Sequence, residues 1–155
     1  MFIYTAKFSK KKAVIFLLLL AAVLCVIIVV AGHHDREKSA DDAFSQAAET
    51  NERRVEYLNS FGWEVSEEPV EEQQIVIPKE FSSVYDEYNE IQKKQGFDLA
   101  DYAGLDAVRY TYEVRNYPDY SGRVCANLIL YKGRVIAGDI QATALDGFIH
   151  GLEMP

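Results

Sequence analysis

The chain has 155 residues, with 16 basic and 24 acidic side chains and a formal net charge of −8. All the acids follow Ala31 and four lysines precede Ala13, so the segment after Ala31 carries 12 basic against 24 acidic residues, a net of −12. A surface of that sign repels polyanions, which argues against a nucleic-acid partner. It suits basic partners, neutral ligands or cations, and plain solubility accounts for it as well.

Residues 1–12 form a short basic tail with Lys7, Lys10, Lys11 and Lys12. Ala13 to Ala31, AVIFLLLLAAVLCVIIVVA, carries no charge and no proline. A helix rising about 1.5 Å per residue makes this stretch long enough to cross a hydrocarbon core, and such a helix satisfies its own backbone in lipid. The lysine bias before it predicts a single-pass anchor in the cell membrane, with a cytoplasmic N-terminus and the rest of the chain outside. The alternative is a cleaved signal with Val29 and Ala31 as an A-x-A-like site before Gly32. Cys25 follows Leu24 rather than a small residue, which speaks against lipid attachment there.

Residues 32–49, beginning GHHDREKSADD, read as a tether, and residues 50–155 as one extracytoplasmic domain. Thr50 caps a helix whose apolar stripe is Val55, Leu58 and Phe61, stopped by Gly62. Trp63-Glu64-Val65 alternates as a strand, Glu67-Glu68-Pro69 turns, and Gln74 to Ile77 is a second strand ended by Pro78; the two are expected to form a hairpin. Ser82 or Ser83 caps the next helix, with Val84, Tyr88 and Ile91 on its apolar face, Lys93 and Lys94 in its last turn and Gly96 beyond it. Asp98 to Gly104 reads as one capped turn.

Val108 to Val114 alternates with period two, which places Tyr110 and Tyr112 on a packed face. NYPDYSG, residues 116–122, is a loop by its turn residues. Arg123 to Tyr131 is apolar on both faces and belongs in the middle of the sheet. Lys132-Gly133 is a two-residue hairpin loop leading to a strand at Arg134 to Gln141. Ala144 to Leu152 is a short helix or packed tail. The fold class is α+β: a mostly antiparallel sheet of about five strands with two main helices, preceded by one transmembrane helix.

The blocks NERRVEYLNSFGWEV, IVIPKEF, YNEIQKKQGFDLADYAG, RYTYEV, YKGRVIAGDI and TALDGF resemble a domain-of-unknown-function family found in small membrane-anchored proteins of Gram-positive bacteria. The likeness runs from about Asn51 to Leu152. It implies an N-terminal span and an outer α+β domain, and supplies no catalytic residue.

No G-x-S-x-G, H-E-x-x-H, P-loop or C-x-x-C is present, and nothing calls for a cofactor or a metal. His33 and His34 are adjacent, so on a helix they point about 100° apart, a poor chelating pair. His150 stands alone. Cys125, in an apolar run, reads as a buried thiol.

Four residues are candidate binding positions. Tyr117 and Tyr120, in the NYPDYSG loop, offer aromatic contact area or pack locally. Asp139 lies opposite Ile136 and Ile140 by alternation, hence on an outer, wet sheet face, and Asp146 sits in a terminal turn. The leading expectation is a non-enzymatic module that binds a protein or envelope component, with the bilayer as a second partner through residues 13–31. The alternatives are a hydrolase-like envelope enzyme using Asp139 and Asp146, and a small-ligand sensor.

Overall fold

A computed structural model describes residues 47–155. The anchor and most of the tether lie outside the described residues, among which no helix is long and apolar enough to cross a membrane. The chain enters the domain earlier than Thr50. Ala47 bridges to Arg134, Ala48 donates its amide to the Gly133 carbonyl, and Ala48 is completely buried.

Helix α1 is Asn51–Ser60, and the Thr50 hydroxyl accepts the Arg53 amide at its start. At its end the Gly62 amide bonds Asn59 and the Trp63 amide bonds Leu58, the paired bonds of a Schellman stop. Gly62 holds φ at +91°, where a Cβ would be strained. The expected apolar stripe needs correction. The buried residues are Arg54, Tyr57 and Leu58, while Val55 and Phe61 are only partly covered. Arg54 is buried because its donors are satisfied. Its Nε donates to the Tyr112 hydroxyl at 2.9 Å and its Nη1 to the Ala48 and Glu49 carbonyls, and its guanidinium lies 3.8 Å from the centre of the Tyr110 ring.

Five antiparallel strands stand in chain order: β1 (Glu71–Val76), β2 (Asp106–Val114), β3 (Val124–Tyr131), β4 (Arg134–Ala142) and β5 (Ile149–His150). The predicted α+β class and the central place of β3 hold. The expected hairpin between Trp63–Val65 and Gln74–Ile77 does not form. Val65 makes a single bridge to Val114, and Glu71 then pairs with Thr111. Both segments run in the same direction along one edge of β2, with Glu67 to Pro69 looped out between the Ser66 and Val70 amides that bond β2, so they cannot pair with each other.

Helix α2 is Ser83–Lys94, capped by the Ser82 hydroxyl and stopped at Gly96 as at the end of α1. Its buried face departs from the expected Val84–Tyr88–Ile91 stripe. Val84 is 74% exposed, and the buried residues are the amides Asn89 and Gln92. Asn89 accepts the Leu99 amide and donates to Asp98. Gln92 accepts the Gly138 amide, and Gln95 donates to the Gly138 carbonyl while accepting the Leu152 amide. This helix docks onto exposed backbone of β4, which demands hydrogen-bonding side chains rather than an apolar stripe. A 3₁₀ turn, Leu99–Tyr102, follows with Asp98 as its cap.

Both faces of the sheet are covered. One core joins Leu58, Trp63, Tyr112, Leu128, Ile140 and Leu152 under α1 and the C-terminal tail. The other joins Ile77, Leu99, Ala107, Ile129, Ile136 and Ala137 on the α2 side. The β3–β4 register slips by one residue at Ile129/Leu130, so that Ile136 is a bulge. Ile136 and Ala137 therefore share the α2 side, while Ile140 faces the other core.

Candidate functional site: a cleft between α2 and the sheet

The sheet face under α2 carries a row of polar side chains at paired positions. Thr111, Asn127 and Asp139 sit opposite one another on β2, β3 and β4. The Thr111 hydroxyl donates to Asn127 Oδ1 at 2.7 Å, and Asn127 Nδ2 donates to Asp139 Oδ1 at 2.9 Å. From α2 the Tyr88 hydroxyl donates to Asp139 Oδ2 at 2.9 Å. Each carboxylate oxygen is thus held by one neutral donor.

Asp139 is 3% exposed, which corrects the expected wet position. The inference that it lies opposite Ile140 is sound. The face opposite is roofed by α2 instead of facing water, and the bulge removes Ile136 from the pattern that identified the faces. Burial pushes the Asp139 carboxyl above the ordinary carboxylate value, against the opposing pull of its bonds to Asn127 and Tyr88 and of the charges of Arg109 and His150. Burial and the neighbouring carboxylate hold the Tyr88 phenol well above its usual value, so it stays a donor.

Beside this row a cleft of about 450 Å³ opens between α2 and the sheet. Its floor is Arg109, Asn127, Ile129, Asp139 and Gln141; its walls are Ile75, Val76 and Pro78 on one side, Val84, Tyr85 and Tyr88 on another, with Ile149 at the end. Three of these apolar side chains are left substantially in water: Val76 at 62%, Val84 at 74% and Ile149 at 44% exposure. An apolar rim over a few convergent polar groups is the usual form of a ligand site. Arg109 donates to Gln73 Oε1 at 2.7 Å and lies 3.8 Å from Glu71, while its buried Nε has no acceptor.

The other sequence candidates lie elsewhere. Tyr117 stacks on Trp63 with ring centres 5.6 Å apart and on Phe148 at 4.6 Å, and its hydroxyl meets His150 Nε2 at 3.1 Å. Tyr120 packs edge-on against Tyr117 and Phe148. Both are half-buried against the core under α1. Asp146 is exposed in the turn between β4 and β5, and the oxygens of Asp139 are engaged by Tyr88 and Asn127 instead. Cys125 is buried as expected, and burial raises its thiol pKa. Among the described residues no group of acids, histidines or cysteines is arranged to hold a metal.

Sequence reasoning missed Tyr88, Arg109, Thr111 and Asn127. One signal was present: Asn127 interrupts the apolar VCANLILY just as Asp139 interrupts VIAGDI. Counting back from the Lys132–Gly133 loop places Asn127 opposite Gly138, and the bulge supplies the one residue that brings Asp139 there.

These features define a small α+β domain with an antiparallel sheet covered on both faces and a cleft beside α2. The chain belongs to a family described as a domain of unknown function, DUF4830, whose model matches residues 57–140. That span includes Tyr88, Arg109, Asn127 and Asp139. No curated protein and no solved structure matches the chain.

Proposed function

We propose that this is a membrane-anchored binding module, held by residues 13–31 with its α+β domain outside the cell, and that it captures a protein or envelope component through the cleft between α2 and the sheet. The Gram-positive cell surface suits such an anchor-plus-domain plan. The observation that carries the reading is the apolar rim of Val76, Val84 and Ile149, exposed around a locked polar floor. Exposed apolar groups around a concavity gain most from being covered. The arrangement favours binding over hydrolysis, because among the described residues the cleft is lined by a single carboxylate already fixed by two neutral donors, with no second carboxylate beside it to share the acid and base roles.

Val84→Glu tests it by complementation of a deletion strain. Val84 packs little, and a glutamate in the first turn suits the helix dipole, so the melting temperature is expected to stay within about 2 °C of wild type. Cellular function is expected to be lost, whereas Asp146→Asn retains it. Full function of the Val84→Glu chain would overturn the reading.

A further inference from the structure

Two charged groups of opposite sign stand on the cleft floor without being paired to each other. The Asp139 carboxylate is buried with two neutral donors and no bonded cation. The Arg109 guanidinium is turned toward β1, where it meets Gln73 and Glu71, and its Nε lacks an acceptor. A buried carboxylate without a cation and a buried Nε–H without an acceptor are costly unless something else is gained.

Their spacing follows from the sheet. Asp139 pairs with Asn127, Asn127 pairs with Thr111, and Arg109 lies two residues along β2 from Thr111. With strands about 4.8 Å apart and about 3.4 Å of rise per residue, the two backbones are about 12 Å apart. The Arg109 guanidinium leans toward Gln73 and Glu71 of β1, away from Asp139, so the gap between the two charged groups is of the order of that backbone separation. Two extended residues cover about 7 Å, and a hydrogen bond of about 2.8 Å at each end brings the reach to the same distance. A single amino acid falls short.

We propose that the cleft takes a short zwitterionic peptide of about two residues, its ammonium on Asp139, its carboxylate on Arg109 and its apolar side chains against Val76, Val84 and Ile149. The proposal rests on the reading of the cleft as a binding site. A volume of about 450 Å³ accommodates a ligand of that size. The ammonium brings the cation that Asp139 lacks, and the carboxylate brings an acceptor for the guanidinium, both as charge-assisted bonds. The net charge of −12 on this part of the chain draws the ammonium end and leaves Arg109 as the local site for the other.

The test is calorimetric titration of the full chain in nanodiscs with four probes: leucyl-leucine, its N-acetyl form, its C-terminal amide and the doubly blocked N-acetyl-leucyl-leucinamide. Leucyl-leucine is expected to bind tightest, and loss of either charge to weaken it about ten- to a hundredfold. In Asp139→Asn the free dipeptide should drop to the affinity of its N-acetyl form, with the N-acetyl form itself unchanged; Arg109→Gln should do the same for the carboxylate end. The asparagine variant is expected to keep its fold, since its amide accepts from Asn127 and donates to the Tyr88 oxygen. Free leucine is expected to bind at least tenfold more weakly than the dipeptide, and equal affinity would overturn the spacing argument. If all four probes bind alike and Val84→Glu abolishes binding, the zwitterion is wrong and the cleft stands. If none binds, the zwitterionic-peptide proposal falls, and the reading of the cleft is then decided by the Val84→Glu complementation alone.

Discussion

A carboxyl group folded into an apolar setting must be held by donors or give up its charge, and Asp139 shows both responses. Tyr88 and Asn127 hold its oxygens, and burial still raises its pKa. Tyr88 from α2 and Asn127 from β3 bond it, and the charges of Arg109 on β2 and of His150, on the opposite sheet face, act on it from farther off. Because its folded pKa lies above the unfolded value of about 3.9, the folded state binds more protons between the two values. Stability contributed by this group is therefore present below the unfolded pKa and declines as pH rises to the folded pKa, beyond which nothing more is lost. Asp139→Asn has no such titration. Its stability relative to wild type is expected to rise across that window, at about 1.4 kcal/mol for each pH unit the window spans, and then level off. Chemical denaturation of both proteins from pH 3.5 to 8 measures this, and a pH-independent difference would contradict it.

At the scale of elements, what was legible in the sequence was what local chemistry decides. Thr50 and Ser82 announce helix starts, Gly62 and Gly96 announce stops, and Lys132–Gly133 announces the tightest hairpin, because each acts within a few residues of itself. The misplaced features depend on distant partners. Ile136 becomes a bulge only in register with Ile129 and Leu130, and the strand expected at Trp63–Val65 is reduced to one bridge by where β2 lies. The cleft was hidden for the same reason: Tyr88 looks like a core residue of α2 until Asp139 is placed beneath it. The start of the domain was missed too, since Ala47 and Ala48 look like linker until Gly133 and Arg54 are beside them. A domain beginning at Thr50 loses buried Ala48 and both carbonyl acceptors of Arg54 Nη1. It is expected to be less stable than one beginning at Ala47 by on the order of 2–3 kcal/mol, from a buried cationic donor left unsatisfied. Urea midpoints of the two domains measure the difference, and equal midpoints would show that Arg54 finds other partners.

The whole molecule, as proposed, joins a basic tail, an apolar span, a tether and a domain with one working cleft. The proposed orientation rests on Lys7, Lys10, Lys11 and Lys12 before the proposed span. A reporter enzyme fused after Pro155 is expected to be active only if it requires export; activity of a cytoplasm-only reporter at that position would reverse the topology. Within the α+β domain, two surfaces compete for the proposed binding role: the cleft, and the aromatic group around Tyr117 and Tyr120. The aromatic rings pack mainly on one another and on Trp63 and Phe148, whereas the rim of the cleft has nothing over it among the described residues. The measurement that separates them most directly is methyl NMR of the full chain in nanodiscs, labelled at Ile, Leu and Val and titrated with leucyl-leucine. Binding at the cleft predicts saturable shifts at Ile75, Val76, Val84, Ile129 and Ile149, with Leu58, Val124 and Leu152 unmoved. Shifts confined to methyls beside Tyr117 and Phe148, or no saturable shift anywhere, would contradict it.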